Sequence, residues 1–507
     1  MMTDLENSEH EPDDADAATV TPRRNARGVV LVGARILTGT IGIAVAVVTV
    51  AAAGWLPLPI VSTAPSSTTV VPVPTDQQRV CAGPVLRLGS DSGEGATTVT
   101  SIGTPYVVSA ASAGKVAASA LQSTDSVTGV TPMQLTLPPA SSGSSAVPLL
   151  AGSQTQSVVQ GDITGFAAAE CSEASGDSWL VGGATTTGRT SLLTMSNPGE
   201  VIATVDLTVY TEGGEITAAG TEGIVVPPGG QRILSIAGFA PGATSIAVRV
   251  HSRGSQVVSQ LQQAVVRTLE PGGVDVIGST TAPAKLAVIP GLVLAEPDAI
   301  AARSSAAGYD DLATMLRFLV PGSKPASVQI TITPESGTAA PAVVNTTLEA
   351  GKVTEMPLRD FPPGSYTVTV RSNVPLVAAA RSSVYTGSMG TDFAWFASAP
   401  HIQKKALVAV GRGPSPEVHL ANLGDQDATI SVTQNALEPG STSSAATTMT
   451  IRAKAAIMIP VQSLRSYTIT GFDQLAISVS YAGDGALASY PVSPTGPASQ
   501  PIAVYRH

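Results

Sequence analysis

Beyond residue 178 the alternation of apolar and polar positions repeats three times in one order. Each round opens with an apolar run closed by glycine: Trp179-Leu180-Val181-Gly182, Leu286-Ala287-Val288-Ile289-Pro290-Gly291 and Ala406-Leu407-Val408-Ala409-Val410-Gly411. An apolar strand ending in a turn follows, over 192–199, 315–322 and 418–424. The third element alternates, through Val205, Leu207 and Val209, through Val328, Ile330 and Ile332, and through Ile430 and Val432. A period of two sends those side chains to one face of a sheet, so each round predicts strands and not helices.

Further strands are expected at 224–226, 232–236, 246–250 and 257–261 in the first round, separated by Glu212-Gly213-Gly214, Pro227-Pro228-Gly229-Gly230 and Pro241-Gly242. Glycine and proline there supply the backbone angles that tight turns demand. The second round continues through Pro362-Pro363-Gly364, 366–370 and 376–380, and the third through 449–451, 456–461, 475–479 and 486–490. Many short strands with regular turn signals predict tandem immunoglobulin-like or fibronectin-like β-sandwich modules, at 179–277, 284–400 and 401–507. Each module carries its own set of apolar strands, which implies three separate cores. Residues 76–178 are less regular, with strand-like runs at 84–88, 97–102, 106–108 and 133–137; their closing stretch, 154–166, resembles 231–239 and suggests a partial fourth unit.

Ahead of the modules, residues 36–56 carry no charge and span roughly 31 Å as a helix, the thickness of a bilayer core. Arg23, Arg24, Arg27 and Arg35 precede this run, and the next basic residue is Arg79. The positive-inside bias therefore predicts a single-pass signal-anchor, with a cytoplasmic tail at 1–35, acidic and then basic, and everything after Trp55 outside. Ala51-Ala52-Ala53 before Gly54 leaves a cleaved signal peptide as the rival reading. A Ser/Thr/Pro-rich linker, 57–75, then separates the span from the strands.

Only 13% of residues are charged and the formal net charge is -10. Seven acids among the first sixteen residues account for most of that, and no basic footprint for nucleic acid exists. Cys81 and Cys171 are the two cysteines; both fall in the exported part, where pairing as a disulfide is the economical reading.

Candidate chemistry is sparse. There is no Gly-x-Ser-x-Gly elbow, no His-Glu-x-x-His and no Cys-x-x-Cys, and Gly411-Arg412-Gly413 lacks the third glycine of a nucleotide loop. No catalytic residue, cofactor or metal ligand set is therefore assigned. His251 and His419 lie in or beside strands and read as surface imidazoles. Asp425 with Asp427, and Asp310-Asp311, are the acids a calcium ion between modules would use, although solvated turn acids explain them as well. Phe393, Trp395 and Phe396 form the one dense aromatic cluster, read either as buried at a module junction or as a partner or glycan contact.

The order Cys171, Ser178-Trp179-Leu180-Val181-Gly182-Gly183, Gly188-Arg189, Leu193 and Ser196-Asn197-Pro198-Gly199, with Val225-Val226-Pro227-Pro228-Gly229, Gly273-Val274-Asp275 and Asp392-Phe393-Ala394-Trp395 further on, resembles an actinobacterial family of membrane-anchored exported proteins, domain of unknown function 5719. The resemblance covers roughly 77–490. Val276 departs from it, standing where an aromatic residue is expected. The family has no catalytic residues to carry over, and its members tend to be encoded near envelope glycosyltransferases. That implies a non-enzymatic scaffold or accessory factor near surface-polysaccharide assembly, its partner an envelope protein such as a glycosyltransferase complex. A carbohydrate-binding wall protein is the alternative and a cryptic hydrolase the second alternative.

Overall fold

The computed structural model describes residues 41–49, 67–70, 76–89, 99–123, 125, 127–139, 148–387, 391–437, 444–494 and 502–505. Residues 41–49 are helical; the rest of the expected span 36–56, the tail 1–35 and most of the linker 57–75 lie outside the described residues. Among the described residues no helix is long and apolar enough to cross a membrane. Contacts divide the chain into two units, 1–70 with 503–507, and 71–502. All that follows concerns the second.

That unit is built almost wholly of antiparallel strands. The 76–178 region contributes β1 (Tyr106–Ala111), β2 (Leu150–Gln160) and β3 (Ile163–Glu170) as one sheet. Next come β4 (Asp177–Val181), β5 (Arg189–Ser196), β6 (Ala203–Thr211), β7 (Gly230–Ser235), β8 (Ile246–Arg253), β9 (Val258–Arg267) and β10 (Glu270–Ile277). The 284–400 region holds β11 (Ala284–Leu294), β12 (Met315–Leu319), β13 (Ala326–Pro334), β14 (Val353–Pro357), β15 (Gly364–Tyr385) and β16 (Thr391–Ala397). The last region holds β17 (His401–Val410), β18 (Pro416–Asn422), β19 (Ala428–Asn435), β20 (Ala456–Pro460), β21 (Arg465–Gly483) and β22 (Ala486–Pro491).

The three repeats form β-sandwiches with one pairing scheme. An inner sheet runs β10-β9-β5-β7, β16-β15-β12-β14 and β22-β21-β18-β20; an outer one places β4, β11 and β17 beside β8, β15 and β21, with β6, β13 and β19 on the other side. Strands β15 and β21 are long enough to serve both sheets, pairing the outer set with their first half and the inner set with their second. In the first repeat that path is interrupted between β8 and β9 at Gly254. Its φ is +84°, and a Cβ there would lie 2.5 Å from the Ile202 carbonyl oxygen, so glycine is required where the chain changes sheet.

The alternating residues face inward as expected: Val205, Ile330 and Ile430 are fully buried. The three cores, however, are not separate. The first cluster takes in Leu319, Val377, Phe393 and Trp395 from the second repeat, the second takes in Leu487, and the third takes in Phe166 and Ala168. Burial of one such side chain stabilises by roughly 1.5–3 kcal/mol, so the seams are held by the same effect as the cores.

The seams close into a ring. The final strands β3, β10, β16 and β22 belong to four different sheets, yet β10 packs on β3 and β16, and β22 packs on β16 and β3. The 76–178 region thus supplies the fourth inner hairpin, β2-β3, that completes the circuit.

Candidate functional site

At the start of the four inner strands stand Gly165, Gly273, Asp392 and Ala486. The Asp392 carboxylate accepts the N–H of the next residue in each of the other three strands: Phe166 at 2.9 Å, Leu487 at 3.2 Å and Val274 at 3.3 Å. Small neighbours make the approach feasible. A Cβ on Gly273 (φ +111°) would lie 2.7 Å from Asp392 Oδ1, and one on Gly165 would meet the same oxygen at 2.7 Å. Burial pushes the Asp392 carboxyl well above its usual range, with nearby Asp275 adding to the shift, and the N–H groups of Phe166, Leu487 and Phe393 oppose it without overcoming it.

Asp275, two residues after Gly273, accepts the Trp395 N–H at 2.7 Å through Oδ2, while its Oδ1 has no hydrogen-bond partner among the described residues. Burial raises its pKa to about 7. The three aromatic candidates are interior, with Phe393 at 0%, Trp395 at 3% and Phe396 at 1% exposure. None presents a face to a partner or a glycan, because the inner strand that carries them is enclosed by neighbours on each side. Trp395 donates to Gln263 Oε1 at 2.7 Å, and the Arg317 guanidinium lies over its ring at 4.3 Å. Arg317 itself bonds Glu355 and reaches the carbonyls of Gly183 and Ile246, tying the first two repeats together.

The pairing of Cys81 with Cys171 is present, an S–S bond that leaves no free cysteine among the described residues. Beside it Arg79, fully buried, bonds Glu170 at 3.0 Å, and Glu170 accepts from the Ser493 N–H and hydroxyl. These contacts join the first region to the last repeat. Burial raises the Glu170 pKa, with Arg79 opposing.

His419 corrects the surface reading. It is fully buried, with Nδ1 2.5 Å from Glu335 Oε2 and Nε2 2.7 Å from Ser480 Oγ. The order Ser–His–Glu is that of a hydrolytic triad, but Ser480 is 1% exposed and its hydroxyl is enclosed in this structure. Glu335 also accepts from the Gly291 N–H and the Thr367 hydroxyl. The chain Ser480–His419–Glu335 is therefore a polar tie across the second seam. Of the turn acids, Asp311 is ringed by Arg189, Arg267 and Arg381, and Asp425 pairs with Lys454, so cationic side chains already stand where calcium was considered. Among the described residues no group of three or more His, Cys, Asp or Glu could hold a metal.

At the other end of the inner strands, where Glu170, Gly278, Pro400 and Pro491 stand at or just past the strand ends, a cavity of about 420 Å³ opens. Its wall is mostly hydroxyl-bearing and apolar: Ser175, Ser259, Ser279, Thr280 and Thr281 alternate with Trp179, Val258, Tyr490 and prolines. Neither this cavity nor the Asp392 node is visible in the linear sequence, although two of the fragments that carried the family resemblance, Gly273-Val274-Asp275 and Asp392-Phe393-Ala394-Trp395, are strands of the ring.

No curated protein matches the chain. Among solved structures it is similar to the FN1–FN3 domains of chicken CNTN1, at 12% identity over 65% of this chain and 98% of that one, with a TM-score of 0.11, too low to bear on the fold. The family of unknown function DUF5719 matches residues 106–462, and the chain belongs to that family.

Proposed function

We propose that the protein is a non-enzymatic, single-pass envelope protein whose extracytoplasmic immunoglobulin-like or fibronectin-like sandwiches form a rigid body that holds a protein partner beside surface-polysaccharide assembly. One observation carries this reading: the buried ionisable groups are spent on joining modules. Asp392, Arg317, Glu170 and the Glu335–His419 pair each span a seam, and such a body keeps its outer faces in fixed relation. The address rests on the arginines before residues 36–56 and on the Cys81–Cys171 bond, which an oxidising compartment favours.

Photo-crosslinkers placed on exposed positions such as Val225, Leu269 and Val343 test the partner reading in living cells. Capture of an envelope protein, a glycosyltransferase component above all, supports it; recovery of the chain alone from every position counts against it. Protease added to cells stripped of their wall should digest 76–507 and spare the first 30 residues. A soluble mature chain beginning near Gly54 would overturn the anchor.

A further inference from the structure

The cavity at the end of the ring has a volume of about 420 Å³, within the usual range of small-molecule sites, roughly 300–1,000 Å³. Its position is set by all four units at once, since strand ends from each contribute to the wall. Two of its residues are more than nine-tenths buried and carry a polar atom with no partner among the described residues: Ser259 Oγ and Trp179 Nε1. Both atoms are enclosed in this structure, so a ligand reaches them only where neighbouring wall side chains give way, and each unpaired group is costly until it is bonded.

The charges around the cavity narrow what that something is. Glu170 and Glu173 lie against Arg79, and Asp177 is held by Arg249 at 2.9 Å. A cation finds these carboxylates already engaged, and an anion meets three of them at close range. Their remaining lone pairs still accept from hydroxyl donors, while Val258, Pro400, Pro491 and Pro494 offer apolar surface to C–H faces.

We propose that this cavity binds a neutral, hydroxyl-rich ligand of sugar type, either a free saccharide or the end of a glycan chain. It moves glycan contact from the buried 393–396 cluster to the cavity at the end of the ring. The proposal does not depend on the membrane address, because binding is measured on the isolated protein.

The test uses the full-length chain in a non-glycosidic detergent, titrated calorimetrically and by tryptophan fluorescence with glucose, galactose, mannose, arabinose, trehalose and a soluble galactan. Saturable binding to at least one is expected. Response to a monosaccharide or disaccharide identifies a free sugar as the source, and response to galactan alone a chain end. Ala282→Trp, at an exposed residue of the cavity wall, should abolish the signal. Ser259→Ala should weaken it by about 2- to 10-fold, the value of one neutral hydrogen bond, at an unchanged melting temperature. If Ala282→Trp fails to fold, Ser259→Ala alone carries the comparison. No saturable binding to any of these ligands, or equal affinity in wild type and variants, overturns the assignment.

Discussion

Asp392 accepts the backbone N–H of Phe166 at 2.9 Å, joining positions 226 residues apart. The same carboxylate binds the N–H groups of Val274 and Leu487, so one side chain fixes four strands from four sheets. No ladder joins these strands to one another, and their backbone donors would otherwise be buried without acceptors.

Asp392→Ala should be among the most damaging single changes. It strands three buried N–H donors, each costing about 1–3 kcal/mol, so urea unfolding should show a loss of at least about 3 kcal/mol. Asp392→Asn keeps one acceptor oxygen and should fall between. A loss below about 1 kcal/mol for the alanine variant would mean that the ring is not tied at this point.

Stability should decline as pH rises through neutrality. The Asp275 carboxyl moves from 3.8 to about 7 on burial, and Asp392 shifts in the same direction. Between those values the folded state holds a proton that the unfolded chain has released. The stabilisation is therefore complete below the unfolded pKa and is lost as pH climbs through the folded one. Thermal melts between pH 4 and 8.5 should show this fall, and Asp275→Asn, which cannot ionise, should flatten it. An identical slope in the variant would place the titration elsewhere.

A fluorophosphonate probe should leave Ser480 unlabelled in the native protein, because its hydroxyl is enclosed. His419→Ala removes the partner of the buried Glu335 Oε2 and should destabilise by about 3–5 kcal/mol. Native labelling at Ser480, lost on unfolding or in His419→Ala, would restore the hydrolase reading.

Fragment 401–507 should fail to melt cooperatively by itself. In the intact chain Leu487 packs into the second cluster, and Phe166 lies edge-on to Tyr481 with centroids 5.4 Å apart. Cutting at 401 uncovers both contacts. Fragment 71–502 should unfold in one transition. A sharp, reversible melt of 401–507 would show that the seams add little and that the repeats have separate cores after all.

Strand existence, the threefold repeat and the β-sandwich class follow from short-range pattern, since a period of two and turn residues act within a few positions, whereas which strand pairs with which does not. Trp179, Leu286 and Ala406 fall within β4, β11 and β17, the strands that open their units, and the Cys81–Cys171 bond pairs the two cysteines of the chain. The ring, by contrast, is a relation among strands with no local signature of closure. Glycine at 165 and 273 carries no local reason for its small size until Asp392 is placed beside both. His419 in an alternating strand reads as surface because its polarity is local, whereas its burial depends on Glu335 and Ser480 arriving from distant segments. The cavity beyond Glu170 exists only where four strand ends converge. Hydrophobic alternation says which face of a strand is buried, but the partner that buries it is chosen by long-range packing, and in this chain that choice creates both the central tie and the cavity.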